Sequence, residues 1–396
     1  MKRLPLVLLL ALCLVAGVDL AHRGSGAYPA RLPLSYTGLN YYDPTDYFTG
    51  CHEWTWLEPR CYWTGLRGRS DRAQLVSDLN FVRRQRLGSL LRVWVSLDQL
   101  MRIGTDGAFA GYQPPALQDV DDMLRQFASH RMRVVLVLLA YSPQSGWLNQ
   151  FKPWALDGRH PGLRAGYLRA VRLFIRHLAA NPGDVHTAPI IELQTEPYYQ
   201  LEQYFADPTK LGAFASCGSS IDTGPVSNGC IDRRIVHPWL VDLYNTARAA
   251  SKRFLYTEAD TGRLLTTNAA DQRYWISMYP ADVYDIHAYA GTPWLEAGRW
   301  ASGRNLPKPW FAGEAGCGSG NIGCTYNGRN AAPVDRWWLE HLRNDGASAV
   351  LLESHVTLWR YPNGPNSQML TPTGRILACV SRSVRARCSL QGGSAG

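Results

Sequence analysis

Several features that would assign this chain to common functional classes are missing from its sequence. After residue 18 no stretch is apolar enough to cross a bilayer, which argues against a protein with several membrane spans. No C-x-x-C pair or Cys/His cluster has the spacing of a zinc site. No basic run with interleaved aromatic residues indicates a nucleic-acid groove, so we expect no nucleic-acid partner. No linker or low-complexity tract divides residues 35–378, which favours one domain.

The N-terminus has the layout of a secretory signal peptide. Lys2 and Arg3 precede the apolar residues 4–18, and small residues follow. The apolar run is too short, and is interrupted too early by Asp19, for a convincing membrane span, although an uncleaved anchor is the alternative. We therefore predict that residues 1–21 are removed and that the mature protein is secreted, extracellular or periplasmic, without membrane attachment.

The cysteine pattern agrees with export. Of the 9 cysteines, Cys13 lies in the signal segment, and the other eight form close neighbours along the chain. The simplest pairing is sequential, with each bridge clipping one local loop in an oxidising compartment. The expected bridges are Cys51–Cys61, Cys217–Cys230, Cys317–Cys324 and Cys379–Cys388.

Charge is less informative than aromatic content. The 41 basic and 32 acidic residues give a net charge of +9, which would suit an anionic polysaccharide or a cell surface but chiefly favours solubility. The 14 tryptophans and 20 tyrosines indicate more, because flat rings with polar edges stack well on the apolar faces of sugars. The alternative is that many of these rings belong to the core.

Short β-rich runs alternate with amphipathic segments, which is the pattern of a parallel α/β fold. The predicted strands are residues 36–41, 89–95, 133–140, 189–195, 254–258, 283–289, 310–315 and 347–353. Eight β/α units over this length suit a (β/α)8 TIM barrel with insertions. A doubly wound sheet is the alternative, because periodicity alone does not count strands reliably.

The longest predicted loops follow strands rather than helices. They span residues 42–70, 141–161, 196–236 and 316–330, whereas the connections from helix to strand are short. In a barrel all loops that follow strands emerge at the C-terminal face, where active sites lie. Three of the four expected disulfides and many of the aromatic residues fall in these loops. This face is therefore predicted to bind a ligand.

Two predicted strands end in a glutamate. The run IIELQTEP ends with Glu196 followed by proline, and the run WFAGEAG carries Glu314 into a glycine-flanked turn. If these are the fourth and seventh strands, both carboxyls point into the barrel mouth. Retaining glycosidases need two carboxyls about 5 Å apart, one as acid/base and one as nucleophile. Either glutamate alone would indicate only a solvated or paired charge, but the two together favour glycoside hydrolysis.

The same segments resemble a known family. The chain is similar to the clan A retaining glycoside hydrolases, most of all to the cellulase and β-mannanase family, glycoside hydrolase family five. That family's fourth strand often reads Trp-Glu-Leu-x-Asn-Glu-Pro, where this chain has ELQTEP at residues 192–197. Its seventh strand, with Lys-Pro before the nucleophile, matches residues 308–316, and its Arg-x-Trp and His-x-Tyr motifs also occur in order. By this resemblance Glu196 is the acid/base and Glu314 the nucleophile.

The resemblance also implies roles for neighbouring side chains. Arg92 and Tyr289 are expected to hydrogen-bond the nucleophile and keep it ionised, and His287 to contact substrate or tune the acid/base. The alternatives are a salt bridge inside the barrel for Arg92 and a satisfied core histidine for His287. Further residues expected to bind or support the sugar are Trp94, Tyr198 and Trp359. For the other nearby carboxylates, Glu192, Glu258, Asp260 and Asp285, buried ion pairs with barrel arginines are favoured over substrate binding.

Two departures from the family pattern affect the substrate. Thr195 stands where the family has the asparagine that binds the sugar 2-hydroxyl, so the subsite differs or another side chain supplies that contact. Strand eight ends in residues 353–355, with Trp359 later than the family's sugar-stacking tryptophan. Neither departure removes the carboxyl pair.

Motifs and resemblance together imply a secreted retaining β-glycoside hydrolase, acting internally on a β-linked polysaccharide of the mannan or glucan type. We expect no metal and no organic cofactor, and a monomer whose partner is a carbohydrate. The predicted organisation is a signal peptide at residues 1–21, a catalytic barrel at 35–378 and a tail at 379–396 containing a disulfide. An exo-acting or oligosaccharide-specific glycosidase is one alternative. A non-catalytic carbohydrate-binding barrel is another, because fold does not fix function.

The cysteine pairing gives a first test. Proteolysis of the unreduced protein followed by mass spectrometry should yield four local disulfide-linked peptide pairs and none that is long-range, because sequential pairing joins only neighbouring cysteines. Alkylation before reduction provides the control for free thiols. Free thiols at Cys317 and Cys324 would contradict the pairing and would reopen a metal or redox role for these residues.

Overall fold

A parallel sheet of nine strands forms the centre of the computed structural model. The structure describes residues 32, 37–41, 69–95, 97–105, 108–139, 153–217, 229–289, 303–316, 339–352, 358–363 and 366–382. The sheet strands are β1 Thr37–Tyr41, β2 Leu90–Trp94, β5 Arg133–Val137, β6 Ile190–Glu192, β7 Leu255–Thr257, β8 Ala259–Asp260, β9 Tyr284–Tyr289, β10 Trp310–Gly316 and β11 Val350–Leu352. Two small antiparallel pairs lie outside it, β3 Met101–Ile103 with β4 Phe109–Tyr112, and β12 Trp359–Arg360 with β13 Met369–Leu370.

The sheet is wound into a barrel. Its strands follow the order β7-β6-β5-β2-β1-β11-β10-β9-β8, and all neighbours are parallel. The two ends of that order, β7 and β8, are separated in the chain by Glu258 alone. They are two halves of one barrel strand, of which β7 pairs with β6 and β8 pairs with β9. The predicted (β/α)8 TIM barrel and its eight strand positions are confirmed.

Helices alternate with the barrel strands, and the longer ones bury an apolar face. The described α-helices are α1 Arg69–Gln85, α2 Leu97–Leu100, α3 Ala116–Ser129, α4 Pro161–Ala180, α5 Pro182–Thr187, α6 Pro197–Phe205, α7 His237–Ala250, α8 Ala269–Met278 and α9 Pro372–Arg382, together with helical residues 339–344. In α4, Leu163, Tyr167, Val171, Phe174 and Leu178 recur every three or four residues and are buried. Pro161 begins α4 where a missing N–H breaks no helical hydrogen bond. None of the helices described is long and apolar enough to cross a membrane.

The structure tests part of the cysteine pairing. Cys217 and Cys230 form a disulfide, as predicted, in the long loop that follows β6. Cys379 is also disulfide-bonded, while its expected partner, Cys388, lies outside the described residues. The same is true of the predicted Cys51–Cys61 and Cys317–Cys324 bridges and of the signal segment. Helix α9 continues to Arg382 and so crosses the predicted domain boundary at residue 378.

A buried group of charges anchors the segment that follows β6. Arg263 donates to both carboxylate oxygens of Glu202 on α6, at 2.9 and 2.8 Å, and its guanidinium lies over the ring of Trp275. Asp232 begins a π-helical turn, Asp232–Val236, and lies two residues after Cys230 of the Cys217–Cys230 disulfide. Burial, followed by the negative charge of Glu202, raises the pKa of Asp232 to about 9. Asp232 is therefore a neutral acid at physiological pH.

This raised pKa makes stability depend on pH. Because the folded pKa of Asp232 lies above its ordinary value of 3.8, the stabilisation is fully present below that value and is lost as the pH rises through about 9. Asp232→Asn, which stays neutral and can donate to Glu202, should remove this part of the slope between pH 4 and 9. Denaturant unfolding at a series of pH values measures it, with the surface variant Asp122→Asn as control. An unchanged slope would show that Asp232 is ionised in the folded protein.

Candidate active site

The interior of the barrel is layered. Its floor is apolar, formed by Leu32, Leu90, Val135, Ile190, Val283, Phe311, Ala349 and Leu351. Because side chains alternate along a strand, the residue two positions later faces inward again, one layer nearer the C-terminal mouth. Those positions include Arg92 on β2, Glu192 on β6 and Asp285 on β9, all completely buried. A polar layer therefore lies directly above the apolar floor.

Arg92 connects this layer to the mouth. Its Nε and Nη2 atoms donate to the two oxygens of Glu192 at 2.6 and 2.7 Å, and Nη2 also donates to Oγ1 of Thr195 at 2.9 Å. Nη1 donates to Oδ1 of Asn40 at 3.0 Å and to Oε1 of Glu314. Both interactions that the sequence offered for Arg92, the contact with Glu314 and a salt bridge inside the barrel, are present together.

Asn40 is a site residue that the motif analysis missed. It is completely buried on β1, and its Nδ2 donates to the backbone carbonyls of Gly313 at 2.8 Å and Leu352 at 3.2 Å. Its amide oxygen accepts from Arg92. Asn40 thus ties β1, β10 and β11 to the guanidinium. The available signal was a polar residue in the otherwise apolar centre of a predicted strand.

A β-bulge turns Glu314 into the barrel. Phe311 pairs with Asp285 and Glu314 pairs with His287, so three steps along β10 correspond to two along β9. Strict alternation from the inward-facing Phe311 would turn Gly313 inward and Glu314 outward. With the extra residue both face inward, which is how bulges re-aim side chains beside active sites. Gly313 is required there, because a Cβ at this position would overlap the Asp285 carboxyl.

Glu196 is aimed by an unusual backbone conformation. It lies between the end of β6 and the start of α6, with φ 42° and ψ 46° in the left-handed region. Such a conformation is uncommon for a residue other than glycine and costs about 1–3 kcal/mol, which the surrounding structure must supply. The carboxyl meets the ring of His287, with Oε1 2.6 Å from Nδ1. Glu314 Oε2 lies 3.4 Å from the same nitrogen.

The surrounding carboxylates raise the pKa values of the two buried cations of the site, His287 and Arg92. Burial opposes a charge on His287, but Glu314 and Glu196 outweigh it and raise the pKa of the imidazole to about 9. Burial likewise opposes the charge on Arg92, and Glu192 and Glu314 raise its pKa well above the ordinary value. His287 is therefore protonated at neutral pH and places an N–H donor beside both carboxyls.

The two candidate catalytic carboxyls are close together. One oxygen each of Glu196 and Glu314 and a nitrogen of His287 lie within 4.8 Å of one another, as do donor atoms of Glu192, Asp285 and His287. Such groups resemble metal ligands. Arg92, however, donates to Glu192 and to Glu314, so a fixed cation already compensates the charge that a metal ion would need. The arrangement suits acid–base and nucleophilic chemistry better than metal binding.

The remaining predicted site residues divide into two groups. Thr195 is buried beside Arg92, and the ring centroid of Trp94 lies 4.9 Å from the Arg92 guanidinium carbon, so both belong to the site. Tyr289 ends β9 directly after this cluster, but its side chain lies outside the described part of the chain. Its hydrogen bond to Glu314 stays a prediction.

Tyr198 and Trp359 do not fit the sugar-binding roles expected of them. Tyr198 is completely buried against Trp275 and Tyr279, and its hydroxyl donates to the backbone carbonyl of Met278 at 2.7 Å. Trp359 is completely buried with its ring centroid 5.6 Å from that of Phe81 on α1. Both rings fill the layer between barrel and helices, where burial of a large apolar surface outweighs exposure at the mouth.

The bulge gives a test of the site geometry. Gly313→Ala should lower activity by at least about tenfold, because the methyl group would displace the Asp285 carboxyl or undo the bulge that aims Glu314. Activity and thermal unfolding are measured together, with Gly183→Ala at the exposed start of α5 as control. A Gly313→Ala protein with wild-type activity would show that the bulge does not control the position of Glu314.

Comparison with known proteins gives likeness in fold but not in sequence. No protein-family model and no curated relative matches the chain. Among solved structures, the β-mannanase of the blue mussel Mytilus edulis is 13% identical with a TM-score of 0.52, over 91% of this chain and 95% of that chain. The endo-1,4-β-D-mannanase of Thermotoga petrophila is 12% identical with a TM-score of 0.53, over 88% and 99% respectively.

A third similar structure is a GH5_18 enzyme of Bifidobacterium longum, solved in complex with Manβ1-4GlcNAc. It is 12% identical with a TM-score of 0.53, over 90% of this chain and 80% of that chain. Identities this low show the fold alone. The chain thus has the (β/α)8 fold of these clan A glycoside hydrolases, which is the fold that the resemblance of its motifs implied.

Proposed function

We propose that this protein is a retaining β-glycoside hydrolase, with Glu314 as nucleophile and Glu196 as acid/base. The observation that carries the proposal is that one oxygen of Glu196 and one oxygen of Glu314 lie within 4.8 Å of each other, and that both carboxyls face Nδ1 of His287, at 2.6 and 3.4 Å. Retaining glycosidases hold their carboxyls about 5–5.5 Å apart, whereas inverting enzymes need about 6.5–9.5 Å to admit a water molecule. The separation supports the double-displacement mechanism.

In the first step Glu314 attacks the anomeric carbon and the bond from that carbon to the leaving oxygen breaks. Glu196 gives its proton to the leaving oxygen, so one sugar product departs and a glycosyl ester forms on Glu314. Arg92 donates to the Glu314 carboxylate, which favours an ionised nucleophile before the attack. The guanidinium is itself held by Glu192 and Asn40, so its direction is fixed before substrate binds.

In the second step water attacks the glycosyl ester, Glu196 takes a proton from that water, and Glu314 is released. Between the two steps Glu196 is a carboxylate and Glu314 is a neutral ester. His287 compensates this transfer of charge, because its Nδ1 faces both groups. The side chain of Glu196 is 19% exposed and that of Glu314 is 8% exposed. The greater exposure of Glu196 suits the group that must meet both the leaving oxygen and water.

For the substrate we propose a β-linked polysaccharide of the mannan or glucan type, cleaved internally. This rests on the similar structures, two of which are mannanases and a third of which holds Manβ1-4GlcNAc. The side chain before the acid/base, Thr195, is shorter than the family's asparagine, and its oxygen accepts from Arg92. An exo-acting or oligosaccharide-specific enzyme is the alternative that this difference leaves open.

We further propose that the protein is secreted after loss of residues 1–21 and acts as a monomer, with a catalytic barrel that begins near residue 35 and includes α9, followed by a short tail. The Cys217–Cys230 disulfide supports an oxidising compartment.

The unequal roles of the two glutamates give the central test. Glu314→Ala should nearly abolish turnover of every substrate, because no other group replaces the nucleophile. Glu196→Ala should lose polysaccharide cleavage but still form the glycosyl-enzyme from an activated aryl glycoside, whose leaving group needs no proton. Added azide should then release a glycosyl azide of retained configuration.

Proton NMR of the first anomer formed by the wild-type enzyme decides the stereochemistry. The isosteric variant Glu314→Gln, checked for wild-type folding, separates loss of the carboxylate from loss of structure. An inverted first product, or full activity of Glu314→Ala, would show that the carboxyl pair is wrongly assigned. A panel of mannans, glucans and their oligosaccharides identifies the preferred sugar.

A further inference from the structure

Asp285 is a buried carboxyl whose two neighbouring cations, Arg92 and His287, lie at ion-pair distance but beyond hydrogen-bond distance. It lies on β9 below the mouth and is completely buried. Its Oδ2 is 3.7 Å from Nε of Arg92, and its Oδ1 is 3.9 Å from Nε2 of His287. In the described part of the chain neither oxygen has a hydrogen-bond donor within bonding distance. On the β10 side the carboxyl faces the backbone of Gly313.

The carboxyl of Glu192 lies beside that of Asp285, because one oxygen each of Glu192 and Asp285 and a nitrogen of His287 are within 4.8 Å of one another. Two ionised carboxylates buried this close to each other repel, so a proton on one of the two is favoured. Glu192 receives two short hydrogen bonds from Arg92, at 2.6 and 2.7 Å, which are typical of an ionised acceptor. Burial, followed by the charge of Glu192, raises the pKa of Asp285 well above its ordinary value. The proton therefore belongs to Asp285.

We propose that Asp285 is a neutral carboxylic acid that donates to Glu192 and thereby acts as a positioning residue for Arg92. With Asp285 neutral, the guanidinium faces two carboxylates: Nε and Nη2 donate to Glu192, and Nη1 donates to Glu314. A third negative charge at Asp285 would draw Arg92 towards the barrel floor and weaken its contact with Glu314. This catalytic consequence rests on the proposed function, whereas the protonation state does not.

The same arrangement occurs a second time, away from the candidate active site. Arg263 donates to both oxygens of Glu202, and burial followed by the charge of Glu202 raises the pKa of Asp232. Each group consists of an arginine, a glutamate that receives two hydrogen bonds and a protonated aspartate. Asp232 is therefore a matched control with the same electrostatics and no contact with Glu314.

Infrared difference spectroscopy near neutral pH tests the protonation state of Asp285 and does not require the protein to show catalytic activity. The spectrum of the wild-type protein minus that of Asp285→Asn should contain the carbonyl stretch of a protonated carboxyl, since most other carboxyls are ionised at that pH. Asp232→Asn should remove a separate band of the same kind. If Asp285→Asn removes no protonated-carboxyl band, the proposal fails. Should that variant not fold, carboxyl ¹³C NMR of labelled aspartates in the wild-type protein gives the same decision.

The pH dependence of kcat/KM tests the positioning role. The groups facing Asp285 are Glu192, Arg92 and His287, and all three stay in place in Asp285→Asn. That variant should keep the acidic limb of the profile, and Glu192→Gln should lose about a hundredfold in activity because Arg92 loses its ionised partner. Asp232→Asn should match the wild-type profile. An acidic limb moved to lower pH in Asp285→Asn would overturn the proposal, because it would mean that a negative charge had been removed.

The two experiments separate this inference from the proposed function. If no glycoside is cleaved, the proposed function fails while the infrared result still decides the state of Asp285. If glycosides are cleaved with retention and the protonated-carboxyl band is missing, only the inference on Asp285 fails.

Discussion

The geometry of the candidate site depends on the buried guanidinium of Arg92. The guanidinium donates to Asn40, Glu192, Thr195 and Glu314 from the completely enclosed interior of the barrel. A buried charge is tolerated only when it is paired and hydrogen-bonded, and removal of one partner of such a pair typically costs about 3–5 kcal/mol. The network is therefore expected to contribute more to orientation than to stability, because each partner restricts one direction of the planar group.

Two irregularities of the backbone bring the carboxyls to this cation. The bulge in β10 turns Glu314 inward against the alternation of its strand, and the left-handed conformation of Glu196 turns the chain between β6 and α6. Each is locally unfavourable and is held by its surroundings, as is common at functional sites. Asn40 holds the bulge, since its amide donates to the carbonyl of Gly313. The polar layer therefore fixes the backbone of the mouth as well as its side chains.

The sequence predicted the barrel and the candidate carboxyl pair because both depend on local patterns. Strand periodicity located the eight strands, and a glutamate at the end of a strand must lie near the mouth. It did not predict the bulge, because an extra residue in one strand is visible only when its partner strand is aligned with it. Tyr198 and Trp359 were misassigned because position after a strand does not determine whether a ring turns to the mouth or to the helices. Asn40 was missed because its partners lie on β2, β10 and β11.

The division of the barrel into layers explains why so many carboxyls lie close together. The apolar floor excludes water from below, which raises the free energy of every unpaired charge above it. Among the described residues, Glu192, Asp285, Glu196 and Glu314 face two cations, Arg92 and His287, so two of the four carboxyls are favoured to keep a proton, and one of these is the proton that Glu196 gives to the leaving oxygen. Glu192 and Asp285 are both completely buried, but Arg92 donates twice to Glu192, whereas Asp285 has no hydrogen-bond donor within bonding distance among the described residues, and so the proton is more stable on Asp285. With this proton on Asp285, Arg92 can donate to Glu314 and His287 can donate to Glu196. The chemistry of the mouth thus depends on a protonation state set in the layer beneath it.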